Sequence, residues 1–256
     1  MASKATPVNI LAIIPARMRS SRFPGKPMAE LLGSPMIRYV YESTVLSPLV
    51  DLTVVATCDE EIAEYVASIG GRAVMTSDEH VRATDRCAEA LQTVEEEDGV
   101  RFDIVVMVQG DEPMTHPGMI TEAVEPLLDD PSIPVTTLLG RISSIDELRD
   151  PNCIKVVCDQ SGNALYFSRA PIAGAVEDPA IGRHVAIISF RRNFLLQYAL
   201  MATTPLESSE AIDMLRILEH GHQVRMVPTQ HSSHPVDTPE DLQRVAELMT
   251  NLGDAH

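Results

Sequence analysis

The chain reads as an α/β protein, a mostly parallel central sheet with helices on both faces, and three observations point there. Short β-branched runs alternate with helix-like segments through the first half. Those runs are apolar almost throughout rather than at every second residue. The loops richest in charge and proline follow directly on the ends of such runs. A strand apolar on both sides needs cover on both faces, which parallel strands joined by helical crossovers provide. Right-handed crossovers then bring the strand C-terminal ends to one edge, where open sheets of this kind hold ligands.

Taken in order, residues 9–14 predict the first strand. Residues 35–46 predict a helix, with Pro35 at its start, where a missing N–H is harmless. Strand 52–57 follows, then helix 60–69, ended by Gly70-Gly71, short strand 73–75 and helix 84–97. Strand 103–108 and helix 117–128 complete the repetition. The second half is less regular, with strands over 135–140, 153–158, 164–167 and 184–190. Helices over 192–202 and 206–219, strand 223–227 and a closing helix over 239–248 follow. The small, acidic stretch 173–181 reads as a mobile loop, and there is no internal repeat or long linker, so the 256 residues form one domain.

Composition narrows the function. A content of 45% hydrophobic and 22% charged residues is ordinary for a soluble globular protein long enough to bury its own core. A formal charge of −17 argues against nucleic-acid and anionic-membrane partners, which attract broad basic surface. With 4% aromatics and no tryptophan, a stacking platform for single strands is missing too. Cys58, Cys87, Cys153 and Cys158 form no CxxC pair. Without a secretory leader or a run near the ~18 apolar residues of a membrane span, they read as reduced thiols of a cytoplasmic protein.

Against that acidic background, residues 15–27, PARMRSSRFPGKP, gather Arg17, Arg19, Arg22 and Lys26 with no acid among them. Basic surface turns usually only solubilise. Four cations in a proline-fixed loop at a strand end instead suggest phosphate, since guanidinium forks pair with phosphate oxygens and lysine adds a point charge. Backbone N–H groups around residues 20–25 add to such a nest. The spacing to Gly25-Lys26-Pro27 is not that of a Walker loop.

QGDEP, residues 109–113, places Asp111 just past a buried strand. There it either starts a turn before Pro113 or ligates Mg²⁺, a hard cation held by one or two carboxylates plus substrate phosphates. Asp237 in HPVDTPEDL is a second such aspartate, while Thr238 and Pro239 beside it read as the N-cap and first residue of the last helix. HVRATDR, which begins at His80, reads either as a loop and the start of an amphipathic helix or as a helix capped by Thr84 with Arg82 and Arg86 directed at anions. Arg169 and His184 lie at strand ends, and Lys155 reads as a snorkelling residue at the core edge.

Together the blocks IIPARMRSSRFPGKP, VVATCDE, MTSDEHVRATDR, VQGDEPM, LYFSRAPI, GRHVAI, TPLESSEAIDMLRIL and PVDTPEDL resemble the CMP-Kdo synthetases, the 3-deoxy-manno-octulosonate cytidylyltransferases, over nearly the whole chain. The resemblance implies a Rossmann-like nucleotidyltransferase domain over 1–256. About 9–130 would bind CTP, and about 131–256 would hold the acceptor and the contacts of a homodimer. It implies Mg²⁺ as cofactor, CMP transfer to an acidic acceptor and release of pyrophosphate. It assigns CTP to Ala16, Arg17, Ser20, Ser21, Arg22, Lys26, Thr57, Asp59, Arg82, Thr84 and Asp111. Lys26, Arg17 and Asp111 become catalytic, Asp111 and Asp237 the metal carboxylates, and Gln109, Arg169, His184 and Asp213 the acceptor contacts.

The chain also departs from that family. HLGIYGY becomes HVAIISF, so two tyrosines are replaced by Ile188 and Phe190. EQLR becomes Asp213-Met214-Leu215-Arg216, and HxSGT gains a cation at Arg82. A site built for hydroxyls discriminates on the order of 10⁴-fold when partners are missing. Those losses, with positive charge from Arg82, Arg169 and His184, suggest a small acid phosphonate such as phosphonoformate as acceptor, with the sugar acid as the alternative. A metal-dependent glycosyltransferase would need the aspartates but not the basic loop. A nucleotide sensor on a retired site would tend to lose one of Lys26, Asp111 and Asp237, all of which are present.

Overall fold

The structure is a computed structural model that describes residues 8–20, 22–173 and 180–253. The first half runs β1 (Ile10–Pro15), β2 (Glu30–Leu31), β3 (Ser34–Pro35), α1 (Met36–Val45), β4 (Leu52–Thr57), α2 (Glu60–Ser68), β5 (Arg72–Met75) and α3 (Ala83–Asp98). It continues through β6 (Ile104–Val108), α4 (Pro117–Asp129) and β7 (Val135–Gly140). Then come α5 (Ile145–Arg149), β8 (Lys155–Cys158), β9 (Ala164–Ser168) and β10 (Ile181–Arg191). The chain closes with α6 (Arg192–Ala199), α7 (Pro205–Glu210), α8 (Met214–Glu219), β11 (Arg225–Pro228) and α9 (Pro239–Gly253).

The main sheet has the order β11-β7-β10-β6-β1-β4-β5. From β6 to β5 every pairing is parallel, and β11 is parallel to β7, while β10 runs antiparallel between β6 and β7. Strands of the second half therefore extend the sheet of the first. β1 shows why both faces are covered: Leu11 and Ile13 join one core cluster, while Ile10, Ala12 and Ile14 join the other. All five are buried, as the unbroken apolar run requires.

Some elements differ from expectation, each for a tertiary reason. The helix expected over 206–219 is two, α7 and α8, broken where Ala211 adopts φ 52°. Arg169 enforces the break, donating from Nε to Glu210 O (2.8 Å) and from Nη2 to Ala211 O (3.2 Å). Thr84 does not cap α3, which begins one residue earlier behind Arg82. Lys155 does not snorkel; it is fully buried and donates to the carbonyls of Asp150, Cys153 and Arg169 at 2.6–2.9 Å. The stretch expected to be mobile, 173–181, lies mostly outside the described residues.

Candidate active site

Parallel strands β1, β4 and β6 end side by side, and their trailing loops wall one cleft of about 960 Å³. That lies within the ~300–1,000 Å³ range of small-molecule sites. Gly110 makes the junction possible, because a Cβ there would stand 2.9 Å from Pro15 O. The basic loop is folded by local chemistry. Gly25, at φ 75°, turns back so that its N–H bonds Met18 O (2.8 Å), and Ser20 Oγ accepts from Phe23 N (3.3 Å). Asp59, at the end of β4, pins the loop by accepting from Met18 N at 2.8 Å.

Lys26 extends from this loop to the cleft floor. Its Nζ lies 2.7 Å from Asp111 Oδ2 and 3.3 Å from Asp237 Oδ1, and Arg22 Nη2 lies 2.9 Å from the same Asp237 oxygen. The loop and two aspartates distant in sequence thus converge on one point. Thr238 Oγ1 accepts from Asp241 N (3.2 Å), so it caps α9 while its neighbour Asp237 faces the cleft. Among the described residues the lining carries Arg17, Arg19, Arg22, Lys26, Arg82 and Arg86 against Asp59, Asp78, Glu79, Asp111 and Asp237. That near balance, in a chain of charge −17, makes the cleft the place for a polyanion. A second hollow between α4 and β11 sets Glu122, Glu125, Asp129 and Asp130 against the single cation Arg225, a balance that disfavours one.

Ala16, Arg17, Ser20, Arg22, Lys26, Asp59, Arg82, Gln109, Asp111 and Asp237 all line the cleft. Ser21 lies outside the described residues. Thr57 and Thr84 are corrections to the set: both are fully buried behind the wall, and Thr57 Oγ1 instead accepts from Asp59 N (3.1 Å). Arg17 Nη1 donates to His80 O at 3.1 Å, tying the loop to the segment before α3. The sequence reading passed over Asn152, whose Oδ1 accepts from Arg22 Nη1 (3.1 Å), and Glu112, which sits in the QGDEP motif beside Asp111. Nothing local marks Asn152, whereas an apolar strand followed by two acids was a visible signal for Glu112.

Asp111 and Asp237, with side chains 30% and 22% exposed and an ammonium already between them, match the donor set of Mg²⁺ held jointly with phosphates. Among the described residues no group of three or more His, Cys, Asp or Glu side chains is placed to hold a metal alone. Glu112 differs from its neighbour. It is 5% exposed, burial pushes its carboxyl up to about 7, and Ser233 Oγ donates to its Oε2.

Arg169, His184 and Asp213 lie off this cleft among the described residues, around β8–β10 and the start of α8. Arg169 commits its guanidinium to the carbonyls of Pro151, Glu210 and Ala211. His184 Nε2 lies 2.9 Å from Thr137 Oγ1, its ring is edge-on to Phe167, and burial lowers its pKa to about 4. Burial, reinforced by Glu207, raises Asp213 to about 6. Arg82 is matched by Asp85 (3.5 Å) and Glu207 (3.6 Å). Neither the neutral histidine nor the two engaged arginines supplies free positive charge.

The departures from the family pattern also change meaning. Ile188, Phe190 and Met214 are packed in the core, with Phe190 stacked on Tyr198 at 6.0 Å. In this chain none of the three faces the cleft, and their side chains serve the core. The phosphonate expectation is thereby less well supported: of the three groups it invoked for positive charge, only Arg82 lines the cleft, and Asp85 and Glu207 lie beside it.

The cytidylyltransferase family model matches residues 11–228. The 3-deoxy-manno-octulosonate cytidylyltransferase of Geobacter metallireducens is 46% identical, covering 96% of this chain and 99% of the relative. That of Trichlorobacter lovleyi is 44% identical, covering 94% and 99%. Among solved structures, CMP:2-keto-3-deoxy-manno-octonic acid synthetase complexed with CTP superimposes with a TM-score of 0.85 at 36% identity, covering 95% of this chain and 99% of that one. A cytidylyltransferase from Leptospira borgpetersenii shares the fold, with a TM-score of 0.65 at 17% identity and coverage of 95% and 87%. With a matching family model and relatives aligned end to end, the chain belongs to the cytidylyltransferases, in the CMP-Kdo synthetase (3-deoxy-manno-octulosonate cytidylyltransferase) family.

Proposed function

We propose that this cytidylyltransferase transfers CMP from CTP to 3-deoxy-manno-octulosonate and releases pyrophosphate. The observation that carries the reading is the meeting of Lys26 and Arg22 with Asp111 and Asp237 in one cleft, in a chain 46% identical to a relative named for that acceptor. An acceptor hydroxyl oxygen attacks the α-phosphorus, the bond from phosphorus to the bridging β-phosphate oxygen breaks, and the hydroxyl proton passes to solvent. Negative charge gathers on the phosphoryl oxygens and on departing pyrophosphate. Catalysis of such a step is chiefly positioning and electrostatic stabilisation.

In this reading Arg17, Arg22 and Lys26 bind the triphosphate, Lys26 steadying the leaving charge. Ser20 adds polar groups of the same loop, and Ala16 and Asp59 form the wall beside them. Asp111 and Asp237 would hold Mg²⁺, which when bound supplies charge neutralisation at the phosphate oxygens. Gln109 is the acceptor contact on the cleft itself. Arg169, His184 and Asp213 would serve the acceptor by shaping the adjoining region, the first through carbonyls and the second as a neutral imidazole.

Homodimerisation and a cytoplasmic setting belong to the same proposal. In their favour, the second half exposes Leu165 and Leu200, and the cysteines are free thiols. No helix among the described residues is long and apolar enough to cross a membrane. Sedimentation velocity distinguishes one chain from two.

The acceptor is tested by pyrophosphate release with CTP, Mg²⁺ and either 3-deoxy-manno-octulosonate or phosphonoformate, with mass spectrometry of the CMP conjugate. Turnover of the sugar acid alone is expected. Turnover of the phosphonate alone would reverse the assignment.

A further inference from the structure

We propose that Glu112 and Ser233 are positioning residues that set the distance between Asp111 and Asp237, and so the fit of that pair to a metal-bearing polyphosphate. This rests on the reading of the two aspartates given above. Asp237 sits in the irregular segment between β11 and α9, and Asp111 in the loop after β6. Nothing in either element's regular structure fixes one carboxylate against the other.

Two hydrogen bonds cross the gap. Val236 N donates to Asp111 O at 2.9 Å, and Ser233 Oγ donates to Glu112 Oε2. Ser233 is 1% and Glu112 5% exposed, so water cannot replace the second bond when it is lost. The acceptor is itself held still. Glu112 N donates to Gln109 O (3.2 Å), while Thr115 donates to Glu112 O from N (3.0 Å) and from Oγ1 (2.8 Å). On the other side, buried Val236 packs with Leu31, Met36 and Val245, which anchors the segment without giving it direction.

A buried acid beside two further acids is a poor device for stability, since an apolar pair of similar volume would hold the loops together at less cost. What the carboxylate–hydroxyl bond adds is register. It fixes where the segment crosses the QGDEP loop, four residues before Asp237 enters the cleft.

The test uses Mn²⁺ as probe on the full chain with CTP, its binding followed by electron paramagnetic resonance, together with the Mg²⁺ concentration for half-maximal turnover and the unfolding midpoint. Ser233→Ala should weaken Mn²⁺ binding and raise the Mg²⁺ requirement about tenfold, as expected for loss of one buried hydrogen bond. Turnover at saturating metal should stay within about threefold. Glu112→Gln, which still accepts from Ser233, should restore near-normal metal binding. Glu112→Met keeps the volume and loses the acceptor, so it should repeat the Ser233→Ala effect and decides the matter if that variant does not fold. Wild-type Mn²⁺ affinity in Ser233→Ala and Glu112→Met, beside its loss in Asp111→Asn and Asp237→Asn, would overturn the inference and leave the aspartates' role intact. Unchanged affinity in the two asparagine variants would remove that role, and this inference with it.

Discussion

Lys26 Nζ stands 2.7 Å from Asp111 Oδ2 with only 12% of the lysine side chain exposed. The ammonium is held on the cleft floor by the carboxylates it separates, so it is preorganised for charge that develops there rather than recruited from solvent. Removing a preorganised cation costs far more than removing a solvated one. Lys26→Ala should lower turnover about 10³-fold at saturating CTP, read as pyrophosphate release. A loss below about tenfold would make Lys26 a surface lysine with no share in the chemistry.

Asp111→Asn separates chemistry from folding. The amide is a poor ligand for a hard cation, so turnover should vanish at every Mg²⁺ concentration. Stability should change by less than ~1 kcal/mol, because the aspartate is partly exposed and its ion pair is screened. Urea unfolding alongside the activity assay checks both halves. Near-normal activity would detach Asp111 from metal binding.

Lys155 gives the largest expected stability effect away from the cleft. Its Nζ satisfies three carbonyls at once in a fully buried position, and burial lowers its pKa. Lys155→Met fills the same volume but leaves those carbonyls without a donor. The cost should be about 3–5 kcal/mol in urea unfolding, at the level of breaking a buried charged network. A loss below ~1 kcal/mol would mean that the loop around Asp150 and Cys153 turns its carbonyls to water.

How far the sequence reveals this architecture depends on how local each cause is. β1, β4 and β6 were legible because strands buried on both faces must be apolar throughout. Lys26 and Asp111 were legible because their loops follow β1 and β6, whose ends share an edge, whereas Asp237, in the segment between β11 and α9, was joined to them by the family resemblance. The break between α7 and α8 was not, since it depends on Arg169, 42 residues from Ala211, and on an alanine with positive φ. Lys155 was misread for a different reason: its acceptors are backbone carbonyls, two in the turn before β8 and one just after β9, and no side-chain pattern marks them. The acceptor was least legible, because the sequence does not show that Ile188, Phe190 and Met214 are packed in the core and that Arg169 and His184 lie off the cleft.

The neutrality of His184 has a pH signature of definite sign. Burial holds its folded pKa at about 4, against 6.5 for an ordinary histidine. Between those values the unfolded chain takes up a proton that the folded one refuses, so this group weakens the fold as pH falls below 6.5 and adds nothing further below about 4. The full effect is on the order of 3 kcal/mol. Asp213 and Glu112, raised to about 6 and about 7, act oppositely: their stabilisation is complete at low pH and is lost as pH rises through the carboxylate range. The wild-type curve therefore mixes both signs, and only a difference isolates the imidazole. His184→Gln keeps a polar group near Thr137 and has no titrating nitrogen. Its urea stability relative to wild type should improve by about 2–3 kcal/mol between pH 7 and pH 4.5. A constant difference across that range would mean that His184 keeps an ordinary histidine pKa inside the fold and takes up its proton below about 6.5, which would contradict the burial-depressed value.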